Sequence, residues 1–137
     1  MRSLLILAAA VTALSACAPA PPAPRTARAA NHLNSMLAGR VAGAAVECLP
    51  RYQASNMIAI DDGTVLFREG SRLWRNDFNG GKCYGISGGR YALVTDRLTT
   101  TTSLCRGDLQ KVMDLSSGMV VGSCTLGDFV PYTKPRA

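Results

Sequence analysis

The sequence predicts an all-β fold, namely a small antiparallel meander or barrel-like domain with disulfides. A signal peptide, a proline-rich tether and a short helix precede it. Three observations lead to this prediction. Short apolar runs alternate with a period of two and are separated by glycine-containing turns. The cysteines after residue 17 are even in number. A domain of about 90 residues has a modest core, so covalent cross-links matter to it.

The N-terminal segment 1–16 has the pattern of a lipoprotein signal peptide. Arg2 is followed by the apolar run Leu4–Leu14, which suits an export signal and is too short to span a bilayer. Leu14-Ser15-Ala16-Cys17 then has the form of a lipobox, which predicts lipidation of Cys17. The alternative is an ordinary secretory peptide that leaves Cys17 unmodified. Ala18 stands where an Asp would retain the protein in the inner membrane, which favours the outer membrane, facing the periplasm.

Residues 17–30 are interpreted as the acylated cysteine and a tether rich in proline and alanine. Prolines hold such a chain extended, at roughly 3.1 Å per residue. Apolar spacing between about Thr26 and Val41 then predicts a short helix, and residues 31–47 are assigned to it. Residues 48–132 form the predicted β-domain, and 133–137 a tail.

The first strands of the domain are predicted as a meander with two tight turns. Asp62-Gly63 favours a type I′ loop, which pairs Ile60 with Val65 and Ile58 with Phe67 and places all four on one face. A second loop at Gly70-Ser71, of type II′, then pairs Phe67 with Trp74 on that face.

Further strands follow at Tyr91–Val94 and Leu98–Leu104, and a hairpin joins Gln110–Leu115 to Met119–Cys124. The segment Phe129–Tyr132 is predicted to be extended, with Pro131 at an edge or exit.

The four cysteines of the domain predict a disulfide framework in an oxidising compartment. Cys48, Cys83, Cys105 and Cys124 allow three pairings, and sequence alone does not choose among them. The pairing favoured here joins neighbours along the chain, Cys48–Cys83 and Cys105–Cys124. No Cys-x-x-Cys is present, so neither a zinc ribbon nor a thioredoxin-like pair is indicated.

Charge and motif searches exclude several function classes. The chain carries +6, and from Cys48 onward eleven Lys and Arg stand against eight Asp and Glu, a mixed pattern that predicts no nucleic-acid partner. His32 is the sole histidine and precedes the domain, so no catalytic residue, metal site or cofactor is predicted. Asp61 and Asp62 are interpreted as turn residues, and Arg106-Gly107-Asp108 as a pinned turn.

Several short stretches together resemble a family of short, uncharacterised exported and lipoprotein-like proteins from alphaproteobacteria. The resemblance extends from about Leu37 to Tyr132 and implies one compact domain with structural cysteines and no established activity. It is carried by Leu37–Gly43, Cys48-Leu49, Asp61–Phe67, Asn76, Cys83, Leu104–Asp108 and Cys124–Pro131.

The predicted function is therefore a lipid-anchored envelope protein that is not an enzyme and does structural or binding work. Its partners are the membrane, through the anchor, and an envelope protein or glycan of unknown identity. The alternative is an inhibitor of a lysozyme-like hydrolase. A net charge of +3 on the domain disfavours that alternative, because lysozymes of the c type are basic as well.

Overall fold

The structure is a computed structural model, and it describes residues 24–49, 56–95 and 103–135. Residue Cys17, the leader and the tether residues up to 23 lie outside these ranges, as does most of the predicted strand Leu98–Leu104. Helix α1 comes first and ten strands follow. Their bounds are α1 Ala27–Leu37, β1 Val41–Ala42, β2 Cys48–Leu49, β3 Met57–Asp61, β4 Thr64–Glu69, β5 Arg72–Asp77, β6 Tyr91–Thr95, β7 Leu104–Cys105, β8 Leu109–Asp114, β9 Val120–Thr125 and β10 Phe129–Thr133.

The predicted all-β, antiparallel fold with disulfides is confirmed. The strands form a five-stranded sheet in the order β1-β10-β5-β4-β3, a two-stranded sheet β2-β7, and a three-stranded sheet β6-β8-β9. Every strand pairing in the described ranges is antiparallel. The predicted strand at Tyr91–Val94 and the late hairpin are β6 and β8–β9 of the three-stranded sheet.

Helix α1 covers one face of the five-stranded sheet. Thr26 caps it, since its hydroxyl oxygen accepts a hydrogen bond from the Ala29 nitrogen at 3.3 Å. Ala29 and Leu33, one turn apart, are buried. The helix begins at Ala27, within the segment assigned to the tether, and it ends at Leu37, ten residues before the end of the predicted helix segment 31–47, in which β1 also lies. Its side chains contact a small apolar cluster, which contains Ile60, Leu66 and Leu73 with Met36, Leu37, Ile58 and Tyr132 at its margin.

The β3–β4 hairpin differs from its prediction by one residue of register. The ends pair as expected, Asp61 with Thr64, but a bulge follows and Ala59 then lies opposite Val65. Ile58 consequently pairs with Leu66 rather than Phe67. A one-residue shift exchanges the two faces of a strand. The prediction that Ile58, Ile60, Val65 and Phe67 share a face is therefore wrong.

The physical reason lies in the turn itself. A type I′ loop needs positive φ at both central residues, and neither Asp62 nor Gly63 has it. Instead the carboxylate of Asp61 accepts a hydrogen bond from the Gly63 nitrogen at 2.8 Å, which is an Asx-type turn. Ile60 becomes the additional residue of the bulge and is directed toward α1.

The β4–β5 hairpin has the predicted register. Phe67 lies opposite Trp74, and Glu69 opposite Arg72. A type II′ loop requires positive φ at its first central residue only. Gly70 meets this requirement with a φ of +56°, and Ser71 does not have positive φ. Glu69 and Arg72 form an ion pair at 4.0 Å, and both partners are partly exposed, so it contributes little.

The main core lies on the face of the five-stranded sheet opposite α1, where the three sheets meet. Its buried members are Leu49, Val65, Phe67, Trp74, Phe78, Cys83, Ile86, Leu104, Val112, Cys124, Leu126 and Phe129. The five-stranded sheet is thus covered on both faces. The three-stranded sheet contributes only Val112 and Cys124 as buried members, with Tyr91 and Leu93 packed against them.

Both disulfides join cysteines that are distant along the chain. Cys48 bonds to Cys105, with 4.0 Å between Cα atoms, and Cys83 bonds to Cys124, with 5.4 Å. The favoured pairing of chain neighbours, Cys48–Cys83 with Cys105–Cys124, is therefore wrong. Strands β2 and β7 place Cys48 directly opposite Cys105, and that strand pairing is a tertiary contact that spacing along the chain does not reveal.

Candidate ligand groove

An open groove of about 1600 Å³ runs between the N-terminal half of α1, the β3–β4 turn and the segment Phe78–Gly88. Arg28 and His32 line it from the helix, and Asp61 and Asp62 from the turn. A smaller depression, of about 720 Å³, lies beside the β4–β5 turn and residues 133–135.

An ion network forms one wall of the groove. Arg25 bonds to the carboxylate of Asp61 and to the hydroxyl of Thr64. The Thr64 hydroxyl donates in turn to the carboxylate of Asp77 at 2.5 Å, and Arg75 pairs with Asp77 at 2.9 Å. This network fixes the chain that enters α1 to strands β3, β4 and β5.

Arg75 is held strongly as a cation within this wall. Partial burial by itself would lower the pKa of Arg75, but the hydrogen bond and charge of Asp77 outweigh that effect. A weaker contribution from Tyr132 acts in the same direction, so the pKa of Arg75 is raised above its ordinary value. Arg75 and Asp77 therefore act as a compensated pair.

Asp62 connects the β3–β4 turn to the segment Phe78–Gly88, which forms the opposite wall of the groove. Its carboxylate accepts a hydrogen bond from the Ser87 hydroxyl at 3.0 Å, and its carbonyl oxygen accepts one from the Cys83 nitrogen at 2.7 Å. Cys83 is in turn bonded to Cys124 of β9. Asp61 and Asp62 therefore organise the turn and its neighbours, as the sequence interpretation has it.

Three nitrogen-bearing side chains of the groove lie outside this network of bonds. Arg28 and His32 lie one helical turn apart on the exposed face of α1, and Lys82 lines the groove from the segment Phe78–Gly88. Within the described ranges none of the three has a side-chain hydrogen bond or an ion pair. Four Arg and Lys side chains and three Asp side chains line the groove, namely Arg25, Arg28, Arg75, Lys82, Asp61, Asp62 and Asp77. All three carboxylates bond to protein groups, as do Arg25 and Arg75, whereas Arg28 and Lys82 do not among the described residues.

The aromatic residues near the groove have separate roles. Trp74 is a core residue, and its indole nitrogen donates to Glu69 at 3.0 Å. Tyr91 is half-buried beside the core. Tyr84, by contrast, lies at the groove with 75% of its surface exposed. Trp74, Tyr84 and Tyr91 therefore form no shared stacking platform, and of these three only Tyr84 lines the groove with an exposed ring.

The Arg106-Gly107-Asp108 segment is a turn fixed by its own side chains. Asp108 accepts a hydrogen bond from the Cys105 nitrogen at 2.8 Å, and Gly107 has a φ of +87°. Arg106 pairs with Glu47 and, at 3.4 Å, with Asp128. This agrees with the sequence interpretation of a pinned turn.

The groove itself is not evident from the sequence. Its walls come from segments that are distant along the chain, so the only early signal is the i, i+4 spacing of Arg28 and His32 on a helix. Across residues 24–49, 56–95 and 103–135, no cluster of three or more His, Cys, Asp or Glu side chains is arranged to hold a metal ion.

Comparison of the chain with protein-family models, with curated proteins and with solved structures gives no significant match. Among the described residues, no helix has the length and apolar character needed to cross a membrane.

Proposed function

We propose that the chain is a lipid-anchored protein of the cell envelope, a non-enzymatic binding module whose groove receives an anionic saccharide. The observation that carries the ligand class is the imbalance of partners in the groove. Its carboxylates already bond to protein groups, whereas Arg28 and Lys82 have no partner among the described residues. An anion in the groove meets cations whose charge is not yet compensated.

Tyr84 supports a saccharide over a simple anion. Its exposed ring lies in the same groove as the two unpaired cations. An aromatic face offers apolar contact while the hydroxyl remains in water, a combination that matches the carbon–hydrogen face of a sugar ring. Acidic groups on the same saccharide would reach Arg28 and Lys82.

The lipid anchor is supported by the lipobox at Leu14–Cys17 and by the two disulfides, which form in oxidising compartments. Cys17 stands seven residues before Pro24, the first described residue and itself part of the groove lining. An extended proline-rich tether of that length spans about 22 Å. The groove would then remain close to the saccharides at the membrane surface.

A non-enzymatic role is supported by the bonds that the carboxylates of the groove make to other protein groups. Asp61 closes the turn and pairs with Arg25, and Asp62 accepts from Ser87. Asp77 likewise accepts from Thr64 and pairs with Arg75, so each carboxylate of the groove holds a contact between structural elements. We expect a saccharide incubated with the protein to be recovered unchanged, and cleavage would contradict this part of the proposal.

The anchor is tested by mass spectrometry of the protein isolated from membranes. We expect a mature N-terminus at Cys17 that carries a diacylglycerol and a further acyl chain. Cys17→Ser should leave the protein uncleaved and unacylated. A full-length chain in the cytosol with free thiols at Cys48 and Cys83 would contradict the whole proposal.

The groove is tested by titrating the full chain in detergent with dextran sulfate and with neutral dextran of the same length. We expect binding of the sulfated polymer only, weakened by salt. Arg28→Gln with Lys82→Gln should weaken binding about tenfold, since two exposed ionic contacts at about 0.7 kcal/mol each amount to one decade.

The matched control is Arg68→Gln with Lys134→Gln, which removes the same charge from exposed positions outside the groove. Equal weakening by both double variants would indicate general charge attraction and contradict a groove site. Tyr84→Ala distinguishes ligand classes. We expect it to weaken binding of the sulfated saccharide and to leave binding of inorganic polyphosphate unchanged.

A further inference from the structure

Exposed apolar side chains are concentrated on one of the three sheets. Of the nine large hydrophobic residues that are exposed in the described part of the chain, six belong to the three-stranded sheet or its β8–β9 turn. They are Val94, Leu109, Leu115, Met119, Val120 and Val121. Scattered apolar side chains are normal on a protein surface, but a contiguous group marks an interaction site.

The register of the sheet shows why these side chains are left uncovered. On β8, Gln110, Val112 and Asp114 are buried, so the alternate residues Leu109, Lys111 and Met113 lie on the outer face. Val120 pairs with Met113 and therefore also lies on the outer face. Within the described ranges no helix or strand packs over this face, in contrast to the five-stranded sheet, which α1 covers.

The outer edge of β9 is also unpaired over most of its length. The carbonyl oxygen of Thr125 accepts from the Asn79 nitrogen at 2.9 Å, so the backbone polar groups of Thr125 face away from β8. Alternation along the strand gives Ser123 the same orientation. Between Val120 and Ser123 no described residue pairs with this outer edge, and all four residues are exposed.

This edge has few of the features that usually protect a strand from pairing with another chain. The strand Val120–Thr125 contains no charged residue and no proline, and its bulge lies at the hairpin end, opposite Val112 and Met113. Natural edge strands are commonly short, charged or covered. The edge strand β1 of the five-stranded sheet is short, with only two residues.

We propose that the β6–β8–β9 sheet is the contact surface between two copies of this chain, joined by antiparallel pairing of β9 with β9. An antiparallel strand edge is complementary to itself, and a two-fold axis relates the two copies. Because Asn79 already occupies the outer edge at Thr125, the pairing involves Val120–Ser123, and the hairpin end of one β9 lies beside Ser123 of the other.

Charge favours a second copy as the occupant. The chain is basic, so two copies repel each other least where the strand edge carries no charge: Leu115–Thr125 is uncharged, and Lys111 lies one strand away, opposite Ser123. Segments that bind anionic membrane surfaces combine apolar residues with Lys and Arg. The hairpin tip from Leu115 to Met119 has the apolar residues but no basic ones.

The test is sedimentation equilibrium of the full acylated chain in a density-matched detergent. We expect twice the mass of one chain. Val121→Lys places a charge on the edge of both copies, so the dissociation constant should rise about hundredfold, a decade for each copy. Val41→Lys is the matched control, because Val41 is an equally exposed valine on the edge strand β1. It should leave the dimer intact.

Ser123→Lys repeats the test at a second exposed position, in case Val121→Lys perturbs the fold. A monomeric wild-type chain at about 100 µM would overturn the proposal, and so would equal dissociation by Val41→Lys. Binding of the monomer to phosphatidylglycerol vesicles through a photo-crosslinker at Met119 would also overturn it, in favour of a membrane contact. The groove variants Arg28→Gln and Lys82→Gln should not change the mass, which separates this interface from the saccharide site.

Discussion

The five-stranded and three-stranded sheets differ in how their faces are covered. The five-stranded sheet has the main core on one face and α1 on the other, so Leu66 and Val65, neighbours on one strand, are both fully buried. Among the described residues only one face of the three-stranded sheet is covered, and its strand β9 is exposed from Val120 to Ser123. The comparison indicates that stability resides mainly in the first sheet, while the second retains surface for contacts.

The largest expected effect concerns the two disulfides, which connect the sheets differently. Replacing Cys83 and Cys124 by Ala should destabilise more than replacing Cys48 and Cys105. The loops closed span 41 and 57 residues, so chain entropy predicts a difference of only about 0.3 kcal/mol, in favour of the longer loop. Burial reverses the order, because Cys83 and Cys124 are core residues and Cys48 is exposed.

We expect losses of about 3–5 kcal/mol for the buried pair and about 2–3 kcal/mol for the other. Urea unfolding of the two double variants, followed by circular dichroism, measures both. The opposite order would mean that loop closure outweighs packing in this fold.

The next effect compares one residue from each sheet. Leu66→Ala should lower the free energy of unfolding by about 2–5 kcal/mol, because its side chain is buried between the five-stranded sheet and α1. Val120→Ala, on the exposed sheet, should change it by less than about 0.5 kcal/mol in the monomer. Thermal and urea unfolding at a concentration below dimerisation provide the measurement. Similar losses for both variants would remove the distinction between the sheets.

The smallest effect is a pH dependence located in the three-stranded sheet. Asp114 begins the β8–β9 turn and accepts hydrogen bonds from the Ser116 hydroxyl at 2.5 Å, the Ser116 nitrogen at 2.8 Å and the Ser117 nitrogen at 3.2 Å. These bonds, led by Ser116 and aided by the charge of Arg90 against the opposing effect of desolvation, lower the pKa of Asp114 from 3.8 to about 2.

Because its pKa is lowered in the folded state, Asp114 makes its full contribution to the free energy of unfolding at pH values above its unfolded-state pKa. This contribution is lost as the pH falls from about 4 to about 2. Asp114→Asn should therefore flatten the dependence of stability on pH in this range. Asp128→Asn is a suitable control, because Asp128 is an exposed carboxylate outside this turn. Urea midpoints measured between pH 2 and pH 5 decide between these outcomes, and an unchanged slope in Asp114→Asn would contradict the assignment.

Local chemistry predicts much of this fold. Alternating apolar residues and a glycine-containing loop are sufficient for the β4–β5 hairpin, where Phe67 lies opposite Trp74 and Gly70 has positive φ. The late hairpin β8–β9 and strand β6 follow from the same signals. These elements are predictable because each is specified by residues within about ten positions of one another.

The same local reasoning does not predict strand register or strand pairing where a single side-chain bond or a distant strand determines it. Asp61 accepts from Gly63 and converts a simple two-residue hairpin into a bulged one, so Ile58 and Ile60 face the helix. The face on which an apolar residue lies depends on the bulge, and the bulge depends on a single carboxylate. Alternation of hydrophobicity does not contain that information, because both faces of this sheet are buried.

By itself the sequence determined the fold class, most strand positions and the participation of four cysteines in disulfides, because these depend on local propensity and on composition. The pairing of Cys48 with Cys105, the groove that gathers Arg28 and Lys82, and the uncovered edge of β9 were decided only by the tertiary structure. Each of these features joins residues that are far apart along the chain, or depends on which face another element covers. That information arises only when the sheets pack together.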